Sequence, residues 1–127
     1  MRVLQSILLA VVMVSSVTTY ASYAPGKPQN APGTCESVKE CITYYSKKYD
    51  VPVSVISTVA YCESSYNPNA INSTSREYSV GISQINLMAH THITEEQAKD
   101  IHFALDFMAK NISEGKGSMW SCYNKFY

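Results

Sequence analysis

The sequence carries no excess of charge. Ten basic and ten acidic residues give a formal net charge of zero. There is no basic stripe to neutralise a phosphate backbone and no polybasic patch for an anionic membrane, so a nucleic-acid partner is not expected. Long apolar runs are missing as well. The longest, Ile7-Leu-Leu-Ala-Val-Val-Met-Val14, is too short to span a bilayer comfortably. No internal repeat and no convincing set of alternating strands can be read, which leaves a mostly helical chain. The cysteines lack the paired short spacing of a zinc site. His90-x-His92 and His102 have neither a cysteine pair nor helical His spacing beside them, so surface or core roles suit them and no metal or other cofactor is expected. No Gly-x-Ser-x-Gly elbow surrounds Ser64 or Ser65, which excludes that route to a serine nucleophile.

The 127 residues suffice for one domain with a modest core. Met1-Arg2 and the apolar run after it read as a secretory signal peptide over residues 1–21, with Thr19-Tyr-Ala21 as the small-x-small cleavage site. An uncleaved anchor is the alternative. Residues 22–34 are rich in Pro and Gly and lack an apolar period, as in an extended leader. The folded domain is expected over 35–127. Export to a periplasmic or extracellular compartment makes the four cysteines legible as two disulfides. Of the three pairings, Cys35–Cys41 with Cys62–Cys122 is preferred, and Cys35–Cys122 with Cys41–Cys62 is the main rival. The first preferred bond closes a local loop, and the second ties the end of a helix to the C-terminal segment. The thiols are then consumed, which disfavours a cysteine protease. Ten tyrosines suit half-buried surfaces and stacking on sugars, although most would simply finish the edge of a small core.

The most informative stretch is Val51 to Glu63. At helical period Val53, Val55, Ile56, Val59, Ala60 and Cys62 fall on one side, and Ser54, Ser57, Thr58 and Tyr61 on the other. Glu63 falls on the apolar side, in the last turn, just before a polar loop. Burial and the negative end of the helix dipole both favour a carboxylic acid that keeps its proton, which is what a general acid needs. Elsewhere, Glu36–Tyr49 reads as a helix, broken by Asp50-Val-Pro52, with Pro52 in the first turn of the next. Ser64–Ser79 reads as a long polar loop of the kind that carries function. Thr94-Glu-Glu-Gln97 matches a capping box. A helix continues over Ile101–Glu114, after a break near Asp100, and ends at Gly115-Lys-Gly117. Trp120, Cys122, Tyr123 and Phe126 sit in a last short helix, with Trp120 read as core.

Three motifs then follow in order. Glu63-Ser64 leads into Tyr66-Asn-Pro-Asn-Ala70. Ser79-Val-Gly81-Ile-Ser-Gln84-Ile-Asn86 comes next, and Tyr123-Asn124 closes the set. Together they resemble the lytic transglycosylase domain of the lysozyme-like superfamily, with its Glu-Ser, Gly-Leu-Met-Gln and Ala-Tyr-Asn motifs. The resemblance covers roughly Val51 to Asn124. It implies a mostly α, lysozyme-like single globular domain with a substrate groove. Departures are Ile82 and Ser83 for Leu and Met, Cys122 for Ala, and Lys125-Phe126 where Ala-Gly is usual, so the last helix need not turn as in the family.

By resemblance, Glu63 matches the family's single catalytic acid/base. Gly81 and Gln84 match the segment lining the groove, and Ser79 matches a Ser just before that Gly. Tyr123 and Asn124 match the pair near the catalytic Glu. The implied reaction cleaves the MurNAc-GlcNAc β-1,4 bond of peptidoglycan glycan strands. The Glu protonates the glycosidic oxygen, the N-acetyl group assists departure, and the same Glu then takes a proton from the sugar's 6-hydroxyl, giving a 1,6-anhydromuramic product without water. The resemblance is nearest to the small single-domain forms associated with secretion systems and phages, so such an assembly is an implied partner. A monomer is expected. Two alternatives stay open: a hydrolase on the same fold, with Glu77 as second carboxylate, or an inactive wall-binding or assembly protein.

Overall fold

The computed structural model describes residues 35–127. The expected signal peptide (1–21) and leader (22–34) lie outside the described residues. The domain is built from helix α1 (Val38–Lys48), α2 (Val53–Ser64), strands β1 (Ile71–Ser73), β2 (Tyr78–Val80) and β3 (Ile85–Asn86), α3 (Glu95–Lys99), α4 (Ile101–Ser113), a 3-10 turn (Gly117–Met119) and α5 (Ser121–Phe126). It is mostly helical, as expected. Among the described residues no helix is long and apolar enough to cross a membrane.

The helices begin where side chains can take up orphan N–H groups. Ser37 caps α1 by accepting from the Glu40 N–H, and Asp100 caps α4 by accepting from the Phe103 N–H at 2.7 Å. The capping box forms as read: Thr94 Oγ1 accepts from the Gln97 N–H, and the Gln97 side chain accepts from the Thr94 N–H. Asp100 is extended, so it ends α3 and starts α4 in one residue. Pro52 stands just outside α2, as its N-cap, one position earlier than the expected first turn.

Small and branched apolar side chains of three elements meet in the core. Ile56, Val59 and Ala60 of α2, Leu105 and Met108 of α4, and Val80, Ile82 and Ile85 of the sheet region are at most 2% exposed. Val53, read as part of the buried face of α2, is 43% exposed instead, at the first residue of that helix. Trp120 is core, with its indole N–H donating to the Ser83 carbonyl at 2.7 Å. Ser83 is itself buried and donates its hydroxyl to the Ala104 carbonyl.

The long polar loop expected over Ser64–Ser79 contains structure. The strands form a sheet in the order β1-β2-β3, antiparallel throughout, with Ile71 opposite Val80 and Ser79 opposite Asn86. All three β1 residues are exposed, so they show no alternation for a pattern reading to detect. Both expected disulfides are present in the preferred pairing, Cys35–Cys41 and Cys62–Cys122. The rival pairing is thereby discarded.

Candidate functional site

The end of α2 is shaped by unusual backbone. Ser65 and Tyr66 follow Glu63-Ser64 with φ of 53° and 63°, left-handed values that neither residue type favours. They turn the chain sharply away, so Glu63 is left at a helix tip. Ser64 secures the turn by donating its hydroxyl to the Ile82 carbonyl at 2.7 Å and the Ala60 carbonyl at 3.1 Å. The Glu-Ser pair therefore joins the first motif to the second.

Glu63 faces a cleft of about 330 Å³, within the range of small-ligand sites. Its side chain is half-buried rather than central to the apolar face, because Ile56, Val59 and Ala60 already fill the core beneath it. The C-terminal segment reaches it. The Cys122 backbone N–H donates to Glu63 Oε1 at 2.9 Å, and the Ser121 hydroxyl donates to the same oxygen at 3.3 Å. The Cys62–Cys122 disulfide joins the residue before Glu63 to the residue that donates to it, so the bond and the hydrogen bond share one junction.

The sheet forms the opposite part of the lining. Ser79 and Gln84 line the cleft with Ile85, Asn86 and Glu77. Glu77 and Ser79 are two residues apart on an extended stretch, so both side chains point to the same face. The buried Ser79 hydroxyl donates to Glu77 Oε1 at 2.5 Å. Gln84 has φ of 46° and donates its amide to the Ala70 and Gly81 carbonyls, so it also tethers the turn that carries it. Ala70 closes the Tyr-Asn-Pro-Asn-Ala motif, and its carbonyl additionally accepts from the Gly81 N–H at 2.8 Å.

Three residues that the motifs mark, Gly81 of the expected groove segment and the pair Tyr123 and Asn124, lie outside this lining. Gly81 is buried behind it, with φ of +85°; a Cβ there would sit 1.8 Å from the Ala98 carbonyl oxygen. Only glycine allows both that backbone conformation and that approach to α3. Tyr123 packs its ring over Gly117, where an added Cβ would be 2.5 Å from the ring. Asn124 donates to the Ser118 carbonyl at 3.1 Å. The pair braces the C-terminal segment, and the neighbours Ser121 and Cys122 make the contacts with Glu63. His90 lines the cleft beside Phe107, their rings 5.2 Å apart. The sequence suits His90 to a surface or core role, and no local pattern marks it for the cleft. Ser121 carries no sequence signal either, because its place depends on the disulfide next to it.

Cys35, Cys41 and His102 bring their potential ligand atoms within 4.8 Å of one another, away from the cleft. Both thiols are spent in the disulfide, and His102 Nδ1 lies 3.3 Å from Cys35 Sγ and 3.2 Å from the Tyr45 hydroxyl.

A family model described as the transglycosylase SLT domain matches residues 40–127. Neither the comparison with curated proteins nor that with solved structures finds a match.

Proposed function

The chain belongs to the transglycosylase SLT domain family, and from that premise we propose that it cleaves the MurNAc-GlcNAc β-1,4 bond of peptidoglycan to a 1,6-anhydromuramic product, with Glu63 as acid and then base. The family supports peptidoglycan lytic transglycosylase activity in general. The observation that carries the finer reading is the placement of Glu63: a carboxyl at a helix tip, in a cleft, with one oxygen held by the Cys122 N–H and Ser121 hydroxyl. No cation pairs with it among the described residues. Oε2 is then the oxygen available to a substrate.

In this reading Glu63 gives its proton to the glycosidic oxygen as the bond to C1 breaks. The acetamido oxygen of the same sugar occupies C1. The 6-hydroxyl then attacks C1 and returns a proton to Glu63. One group performs both transfers, each within hydrogen-bond reach of one oxygen. Ser79 and Gln84 line the path of the strand, while Gly81, Tyr123 and Asn124 act by shaping the turn and the C-terminal brace rather than by touching sugar. The two disulfides support an oxidising compartment, and with the apolar N-terminal run they support export by a signal peptide over residues 1–21, a leader over 22–34 and a domain over 35–127. A secretion-system or phage assembly is the partner the resemblance offers, and the domain is taken to act as a monomer.

One observation favours a second reading: Glu77 lines the same cleft as Glu63. Two carboxylates across a sugar are the equipment of a hydrolase. Mass spectrometry of the muropeptides released from purified sacculi separates the two. The transglycosylase reading expects products ending in 1,6-anhydromuramic acid. Reducing-end muramic acid as the main product would replace it with the hydrolase, and no soluble release from any sacculus would favour a wall-binding role.

A further inference from the structure

The transglycosylase reading uses one carboxylate, yet the cleft presents two. Glu77 is half-buried, lines the cleft with Glu63, and is oriented by a buried serine. Ser79 is 1% exposed and donates to one Glu77 oxygen at 2.5 Å. A solvated loop charge has no need of such an anchor. Among the described residues no lysine or arginine pairs with Glu77 or with Glu63, and none lines the cleft. Apart from His90, the ionisable groups lining the cleft are these two acids. A neutral sugar that becomes cationic as it reacts is the ligand such a field suits.

We propose that Glu77 is a second functional carboxylate of this cleft, accepting a hydrogen bond from the acetamido N–H of the sugar attacked at C1 and stabilising the positive charge that this group develops. The inference rests on the transglycosylase reading above. In the first step the acetamido carbonyl oxygen bonds to C1 while the bond from C1 to the leaving oxygen breaks. Glu63 supplies the proton that the leaving oxygen takes. The resulting five-membered ring carries one positive charge, shared by its N–H. Glu77 takes no proton; it remains a carboxylate facing that N–H, a charge-assisted hydrogen bond that strengthens as the charge appears. In the second step the 6-hydroxyl oxygen bonds to C1, the acetamido oxygen departs from C1, and the hydroxyl proton passes to Glu63. The donation from Ser79 engages one oxygen of Glu77, and among the described residues no donor engages the other.

A water-activating base would differ in its products and in its response to substitution. In Glu77→Gln the amide carbonyl can still accept from an N–H, so ground-state binding survives while the negative charge is lost. The expected result is a turnover about 100-fold lower, the usual scale for losing one preorganised electrostatic contact, with the 1,6-anhydro product retained and the thermal midpoint unchanged. A binding comparison adds a readout that a structural role would not move. The thiazoline analogue of N-acetylglucosamine mimics the bicyclic cation when protonated. Wild type and Glu63→Gln should bind it more tightly than N-acetylglucosamine, and Glu77→Gln should lose that preference while still binding the plain sugar. Retention of the preference in Glu77→Gln, or its absence in wild type, would overturn the assignment. Wild-type products with reducing ends would instead overturn the transglycosylase reading on which it rests.

Discussion

The two disulfides make an instructive pair. Cys35–Cys41 closes a separation of 6 residues at the start of α1, beside His102 and away from the cleft. Cys62–Cys122 closes a separation of 60 and sits against Glu63. A chain-entropy estimate gives about 2 kcal/mol for the short loop and about 4 kcal/mol for the long one. The larger difference is chemical. The long bond fixes the backbone N–H that holds the Glu63 carboxyl, whereas the short bond touches nothing in the cleft. A cross-link of the same kind thus adjoins the candidate site in one place and lies away from it in the other.

The comparison can be broken from its stronger side first. Replacing both Cys62 and Cys122 by serine should lower stability by about 4 kcal/mol and depress turnover even at temperatures where the domain stays folded, because the Cys122 N–H no longer has a fixed position. Denaturant unfolding alongside an assay on purified sacculi measures both effects. Full turnover in the folded fraction would show that the junction only staples the chain.

Gly81→Ala comes next, at a position inside a site motif but outside the cleft lining. The added Cβ would meet the Ala98 carbonyl oxygen at 1.8 Å in a left-handed backbone, so about 3 kcal/mol should be lost through strain and overpacking. The thermal midpoint reports it. Activity should follow the folded fraction, since the glycine is buried behind the cleft.

Replacing both Cys35 and Cys41 by serine is the gentlest change. A loss of about 2 kcal/mol is expected, with turnover per folded molecule unaltered. A selective loss of turnover would mean that the start of α1 communicates with the cleft, and the contrast between the bonds would fail.

Much of this was legible in the sequence, for identifiable reasons. Helix ends were readable because capping is local: Thr94 and Gln97 satisfy each other within four residues, and the Asp100 side chain accepts from the Phe103 N–H. The core face of α2 was readable at Ile56, Val59 and Ala60 because its period is helical. Glu63 could be singled out because a carboxyl on that face conflicts with its neighbours. Only its depth was misjudged, since it emerges at the helix tip into a cleft. What escaped was non-local. The strands are two or three residues long and β1 is wholly exposed, so sheet pairing and not side-chain pattern defines them. Tyr123 and Asn124 carried the motif resemblance, yet Ser121 and Cys122 reach Glu63, because the direction of α5 is set by the disulfide and by the packing of Tyr123 on Gly117. Glu77 could be named only as a candidate second carboxylate, because its contact with Ser79 depends on the extended backbone leading into β2.

The central claim is that one carboxyl performs both proton transfers. Glu63→Gln tests it most directly, on purified sacculi, with the thermal midpoint measured on the same preparation. Glutamine keeps the shape and can still accept from the Cys122 N–H, so the midpoint should stay within a few degrees of wild type. Release of anhydromuropeptides should fall by at least about 1,000-fold, the scale on which loss of an essential acid–base group acts. A folded Glu63→Gln protein that releases them at a rate comparable to wild type would contradict the account.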